Sequence, residues 1–161
     1  MKFIIDKENK KVRVTREFAA PLSKVWAAWT QSELLDQWWA PKPWKANTKE
    51  MDFKEGGHWL YVMVGPEGEE HWSREDFKSV IPMKSFKAVD AFCDSSGKVN
   101  NELPKSTWEC KFSESGNKTT VKIEMECETI TDLEKLIEMG FQQGFTMALG
   151  NLDELLATEK A

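Results

Sequence analysis

The chain contains 161 residues, of which 40% are hydrophobic and 30% charged, and it carries a net charge of −5. The acidic balance argues against a nucleic-acid partner, because phosphate binding relies on an excess of lysine and arginine. No apolar run approaches the roughly 18 residues that a membrane span needs, so the composition predicts one globular domain over residues 1–161.

The N-terminal part predicts two strands followed by two short helices. Residues 2–6 and 11–19 alternate apolar with charged side chains, as strands with one wet face do. Pro21 suits the first turn of a helix over residues 22–30. A second helix is predicted over residues 33–39 and ends at the prolines that follow.

From residue 46 to residue 128 the hydrophobic period changes to that of strands. In the last of them Val121, Ile123, Met125 and Cys127 alternate with charged side chains, which predicts an antiparallel sheet with one dry face. The predicted strands of this region are 48–53, 58–64, 70–80, 84–93, 105–113 and 118–128.

Residues 131–158 predict a long C-terminal helix, because apolar residues recur there at helical spacing. Thr131 and Glu134 have the spacing of a capping box. At about 100° per residue the apolar stripe spans about 220° of the helix circumference, so a curved partner must wrap it. The predicted fold is therefore α+β of the helix-grip type. A curved antiparallel sheet of six or seven strands wraps the long helix, and two short helices follow the first strands.

Small residues interrupt the apolar stripe of this helix at Gly140, Gly144 and Ala148. Each glycine inside a helix costs roughly 1 kcal/mol relative to alanine. Two interpretations stay open. The small residues either allow close packing against a neighbouring element, or leave room for a ligand between Phe141 and Phe145.

Five short stretches resemble one protein superfamily, and they occur in the expected order. They are 16–21 (REFAAP), 25–30 (VWAAWT), 38–41 (WWAP), 51–59 (MDFKEGGHW) and 138–141 (EMGF). Together they resemble the SRPBCC superfamily, also called START-like or birch-pollen-allergen-like. The nearest branch is the domain family named after the activator of the heat-shock-protein-90 ATPase. This resemblance implies a deep apolar cavity between the sheet and the long helix. It constrains function only weakly, since the superfamily includes lipid carriers, hormone receptors and aromatase/cyclases.

Catalytic and cofactor motifs are absent from the sequence. There is no nucleophile elbow, P-loop or dinucleotide fingerprint. The two histidines, His58 and His71, lack the spacing of a metal site, although they would face each other across a hairpin if the register allowed it. No metal and no cofactor are therefore predicted. Cys93, Cys110 and Cys127 lie far apart, which favours reduced core thiols and, with no signal peptide recognisable, a cytoplasmic location.

The excess of aromatic residues supplies the candidate ligand-binding residues. Arg74 is expected to be the one buried cation and to meet an acidic head group, with Asp76 or the ligand as its partner. The alternative is that the rings only fill the core or shield the outer face of the sheet. The predicted set is Trp39, Trp59, Tyr61, Trp72, Arg74, Trp108, Phe141, Gly144 and Phe145.

Three functions are consistent with these observations. The leading hypothesis is non-catalytic binding of a small hydrophobic or aromatic molecule between the sheet and the C-terminal helix. The second is a co-chaperone-like interaction module of the heat-shock-protein-90 activator type. The third is an enzyme of the cyclase or dehydratase type that uses Tyr61, Arg74 or Asp76 as acid–base groups. A homodimer is left open.

Overall fold

The computed structural model describes residues 1–158, which form eight strands and four helices. All eight strands belong to one antiparallel sheet in the order β1-β2-β8-β7-β6-β5-β4-β3. The strands are β1 (Lys2–Asp6), β2 (Lys11–Phe18), β3 (Lys45–Met51), β4 (His58–Val64), β5 (Glu70–Ile81), β6 (Ser85–Phe92), β7 (Ser106–Ser115) and β8 (Lys118–Cys127). The helices are α1 (Leu22–Thr30), α2 (Ser32–Trp38), α3 (Ile130–Glu138) and α4 (Phe141–Thr158).

The helix-grip prediction is confirmed, with a strand count of eight that is slightly higher than the six or seven expected. The alternation on β8 explains why one face of the sheet is dry. Val121, Ile123 and Met125 are at most 3% exposed. On the opposite face Lys11 of β2 pairs with Glu124 of β8. No helix within residues 1–158 is long and apolar enough to cross a membrane.

The C-terminal helix differs from its prediction because it is two helices. The helix is interrupted at Gly140, whose φ of +89° is the left-handed conformation that glycine adopts readily. The N-cap of α3 is Thr129 rather than Thr131, and its side chain accepts a hydrogen bond from the Asp132 amide at 3.0 Å. The break places the start of α4 over one end of the sheet's dry face.

The remainder of α4 is held against the short helices. Phe145, Ala148, Leu149, Leu152 and Leu156 are buried along its inner side. Asn151 is also buried, and its side-chain amide donates to the carbonyl oxygens of Trp38 and Ala40. These bonds satisfy carbonyls at the C-terminal end of α2 and fix the position of α4.

Candidate functional site

A cavity of about 250 Å³ lies between the dry face of the sheet and the junction of α3 with α4. Exposed Met139 and His71 are part of its wall, so the cavity reaches the surface there. Its walls come from the α2–β3 connection, from strands β4 to β8, and from both C-terminal helices. The lining residues are Trp39, Pro41, Tyr61, Met63, His71, Ser73, Asp90, Ala91, Phe92, Pro104, Ser106, Trp108, Met125, Leu136, Met139, Gly140, Phe141, Gly144 and Phe145.

Six of the nine residues predicted as ligand-binding meet in this wall. Trp39 lies at their centre, with its ring centroid 5.9 Å from that of Trp108 and 6.1 Å from that of Phe145. Its indole N–H donates to the Tyr61 hydroxyl at 3.0 Å. Phe141 and Phe145 stack on each other, with centroids 5.5 Å apart. The six are Trp39, Tyr61, Trp108, Phe141, Gly144 and Phe145.

Gly144 contributes open space rather than a close approach. A Cβ atom at this position would lie 3.7 Å from the Pro41 ring, which is ordinary van der Waals contact. The larger part of any longer side chain would therefore enter the cavity. Of the two interpretations of the small residues, room beside Phe141 and Phe145 is the one that matches the geometry at position 144.

Trp59 lies behind the cavity wall rather than in it. Its ring stacks on Tyr61 at 4.0 Å, and its N–H donates to the Thr48 hydroxyl at 2.9 Å. It borders a separate void of about 10 Å³, which is about the size of one water molecule. Trp59 therefore supports Tyr61 from behind, and it does not contact the main cavity.

Trp72 and Arg74 do not line the cavity, and the prediction that they do is wrong. Both point to the outer face of β5, because their neighbours Ser73 and Glu75 are the buried residues of the strand. Arg74 donates two hydrogen bonds to the Asp76 carboxylate, at 2.6 and 3.0 Å, and a third to the Gly97 carbonyl at 2.8 Å. The Arg74 guanidinium thus has its partners within the protein, and no cation is left for an acidic head group.

Two carboxyl groups that were not predicted from the sequence lie beside the cavity, and Arg74 does not. Glu75 of β5 and Asp90 of β6 are direct partners in the strand register, and both belong to the inner face. Glu75 is only 4% exposed and borders the small void, while Asp90 is part of the cavity wall. Within residues 1–158 neither carboxyl group has an ion pair.

The environment holds protons on this pair. Burial raises the pKa of Asp90 to about 7, against a smaller opposing effect of the Ala91 backbone amide. Burial, followed by the charge of Asp90, raises the pKa of Glu75 well above its usual range. The same surroundings raise the pKa of the Tyr61 phenol, mainly through burial, so the phenol stays neutral and can donate a hydrogen bond.

A signal for these two acids was present in the sequence. Asp90 has the same strand parity as Phe86 and Ala88, and Glu75 has the parity of Phe77. An acidic residue on the same face of a strand as buried residues indicates a candidate functional group, because carboxylates are rarely buried without a partner.

The remaining titratable candidates do not assemble into a site. His58 pairs in register with Asp76 and His71 with Met63, so the two histidines lie at opposite ends of the β4–β5 hairpin. No cluster of three or more potential metal ligands occurs in the described part of the chain. Burial raises the pKa of the Cys110 thiol well above its usual range and that of Cys127 to about 11, which keeps both as inert thiols.

Solved bacterial structures share this architecture. Protein Ms6760 from Mycobacterium smegmatis is 28% identical, with a TM-score of 0.89 over 97% of this chain and 96% of that one. A protein from Arthrobacter aurescens is 27% identical, with a TM-score of 0.92 over 99% and 92% of the two chains. A third, from Staphylococcus epidermidis, is 25% identical, with a TM-score of 0.86 over 100% and 96%. No significant match was found among curated proteins.

The family assignment follows from the sequence and agrees with the fold. The family model described as "Activator of Hsp90 ATPase homolog 1-like protein" matches residues 19–157, which include α1 to α3, β3 to β8 and nearly all of α4. The chain therefore belongs to the family of Activator of Hsp90 ATPase homolog 1-like proteins.

Proposed function

We propose that the protein binds one small, largely apolar molecule in the cavity between the sheet and the α3–α4 junction. The observation that carries this proposal is the open space of about 250 Å³ whose wall contains six aromatic rings, those of Trp39, Tyr61, Phe92, Trp108, Phe141 and Phe145. Cavities of about 150 Å³ with apolar walls bind benzene in other proteins, so this one has room for a substituted ring.

The expected affinity is modest. A ligand that buries about 250 Å² of apolar surface gains roughly 6 kcal/mol, from which association removes several kcal/mol. Weak to micromolar binding is therefore expected from burial alone. Met63 and Met125 in the wall adapt readily to different shapes, which favours a broad range of ligands over a single one.

The test is titration with a library of aromatic and short-chain lipid compounds, followed by tryptophan fluorescence and by native mass spectrometry. Trp39 and Trp108 form part of the wall, so binding should change the emission. The blocking variant is Gly144→Leu, which extends a side chain into the cavity. The matched control is Gly150→Leu on the same helix, where an added Cβ meets no atom within 4 Å.

We expect Gly144→Leu to abolish binding while Gly150→Leu retains it. Thermal unfolding of both variants separates loss of the cavity from loss of the fold. Equal binding by the wild type and Gly144→Leu would show that ligands bind elsewhere, and a library without any ligand would contradict the proposal.

The two alternative functions fare differently. A co-chaperone role is motivated by the family description, and its test is stimulation of the heat-shock-protein-90 ATPase by the purified chain. For a cyclase or dehydratase, two of the three suggested acid–base groups, Arg74 and Asp76, lie paired on the outer face of the sheet. Only Tyr61 of that set lines the cavity.

A further inference from the structure

Apart from the exposed His71 at the rim, the cavity wall carries charge of one sign within the part of the chain that the structure describes. Asp90 is its one acidic residue, and the wall has no lysine or arginine within residues 1–158. His71 is the one basic residue, and it is exposed at the rim. A ligand with a carboxylate or phosphate head group would therefore meet a like charge and no counter-ion.

The carboxyl pair is costly to the free protein. Glu75 lies directly opposite Asp90 across an antiparallel strand pair, where like charges destabilise a sheet. Glu75 is 4% exposed, and no protein hydrogen bond or ion pair to its carboxyl group is present within the described residues. A buried carboxyl group without a partner is unfavourable. A cation placed beside Asp90 would relieve both groups together.

The rest of the wall also favours a cation. Trp39, Tyr61, Trp108, Phe141 and Phe145 present aromatic rings to the same space. The faces of such rings attract ammonium groups within about 6 Å. Rings and a carboxyl group together are complementary to a molecule that has an apolar body and one positive end.

We propose that the ligand of this cavity is a small hydrophobic amine, with its ammonium group against the Asp90 carboxylate and its apolar part against the rings of Trp108 and Phe145. This inference rests on the proposed function of the cavity and names the chemical class of its ligand. Glu75 is a positioning residue, which acts by setting the charge of Asp90. A buried Arg74 would have favoured a ligand with a negatively charged head group. The carboxyl group of Asp90 favours a positively charged one instead.

The groups that face Asp90 set the pH range of binding. They are Glu75 and His71 on β5 and Tyr61 on β4, and the charge of Asp90 also acts on the Cys93 thiol just after β6. Within residues 1–158, α3 and α4 contribute no ionisable side chain to the wall. In the free protein, burial raises the pKa of Asp90 to about 7. An aliphatic amine keeps its proton up to a pH of about 10. Binding should therefore tighten as the pH rises from 6 to 8.

The experiment compares three head groups on one phenyl ring: 2-phenylethylamine, 2-phenylethanol and 3-phenylpropanoate. Each is titrated at pH 8 into the full chain, with calorimetry and tryptophan fluorescence as readouts. We expect the amine to bind roughly tenfold to a hundredfold more tightly than the alcohol, since a charged hydrogen bond is stronger than a neutral one. The carboxylate should bind most weakly of the three.

Variants assign the preference to a residue. Asp90→Asn should weaken binding of the amine about tenfold or more and leave the alcohol unchanged. Asp94→Asn is the matched control, because it removes the same charge four residues along the chain at an exposed turn. It should alter neither affinity. Glu75→Gln should weaken binding of the amine less than Asp90→Asn does and shift the pH profile.

The outcomes are distinguishable. If the alcohol binds as tightly as the amine, or if Asp90→Asn keeps the amine preference, the inference is overturned while the apolar cavity remains a binding site. If none of the three compounds binds, the amine inference is overturned, and the library titration decides separately whether the cavity binds any apolar molecule. Should Asp90→Asn not fold, the head-group series on the wild type and the Glu75→Gln profile still decide the question.

Discussion

The interior of this protein has a filled half and a hollow half under the same sheet. In the filled half, below α1, Trp26 packs edge-on against Phe112 at 5.0 Å and against Phe53 at 5.9 Å. Phe77 meets Phe53 at 4.7 Å. In the hollow half, below the α3–α4 junction, rings also pack on one another, with the centroids of Trp108 and Phe145 5.4 Å apart, but they leave a space of about 250 Å³ beside them.

The difference lies in the residues between the rings. The hollow half contains Ser73, Ala91, Ser106, Gly140 and Gly144 along its wall, where the filled half has further rings. The small side chains leave space beside the rings, and the helix break at Gly140 places the start of α4 at that end. Close packing in the filled half therefore contributes to the stability of the fold. The hollow half contributes less, because the atoms that line an open space lack packing partners on that side.

The strongest test of this comparison is a large-to-small substitution in each half. In the filled half, Trp38 of α2 is fully buried, packs against Trp29 of α1 with ring centroids 4.8 Å apart, and donates a hydrogen bond to the Ala28 carbonyl at 2.9 Å. Trp38→Ala should lower the free energy of unfolding by about 3–5 kcal/mol. Phe141→Ala removes a partly buried ring from the cavity wall and should cost about half as much or less. Urea denaturation measures both, and equal losses would remove the distinction.

The carboxyl pair should make the hollow half sensitive to pH. The pKa of Asp90 is raised from 3.8 to about 7 in the folded state, so folding favours its protonated form. The stability that this provides is complete below pH 4 and is lost as the pH rises toward 7 and above. Asp90→Asn should flatten that decline and stabilise the protein at pH 8 by on the order of 1–3 kcal/mol. Thermal unfolding from pH 5 to pH 9 checks this; an unchanged slope would show that the cavity wall does not raise the pKa of Asp90.

The two glycines of the cavity wall should respond with opposite signs to alanine. Gly140 has a φ of +89°, which an alanine adopts only with strain, so Gly140→Ala should destabilise by about 1 kcal/mol. Gly144 lies within α4 with room for a Cβ atom, so Gly144→Ala should stabilise by up to about 1 kcal/mol. Chemical denaturation of the pair measures the difference, and the same sign for both would contradict the helix break.

The smallest effect concerns the outer face of β5, beside Glu75 in the chain. Asp76 is a partly exposed carboxylate that holds the Arg74 guanidinium. Asp76→Asn should destabilise by roughly 0.5–1 kcal/mol at pH 8, because exposed ion pairs contribute little. The same substitution at Asp90 should stabilise. If both substitutions act in the same direction, the assignment of the two faces is wrong.

Much of the fold could be predicted from periodicity, and the site only in part. The strands over residues 2–6 and 58–64 and the helix over residues 22–30 match their predicted bounds. The helix break at Gly140 was missed, although a glycine just after a turn that contains a lysine, here Lys135, is a common signal for the end of a helix. Local patterns report the type of an element reliably, because each residue's neighbours along the chain determine them.

The faces of β5 show why the site was harder. Alternation correctly placed Trp72 and Arg74 on one face and Glu75 on the other. It could not say which face is inside, because both carry charged and apolar residues. Contacts between residues distant in sequence decide which face of β5 is turned to the interior. On the outer face the Gly97 carbonyl accepts a hydrogen bond from Arg74, and on the inner face Asp90 lies opposite Glu75.

The sequence by itself determined the classes of element, their order and the family, since hydrophobic period and short motifs are local properties of the chain. Tertiary structure alone decided that a space of about 250 Å³ stays open in the interior and that Glu75 and Asp90 lie beside it with no lysine or arginine of residues 1–158 paired to them. Both outcomes depend on sheet curvature, strand register and the point at which α4 begins. These arise from contacts between residues far apart in the chain, so no local pattern contains them.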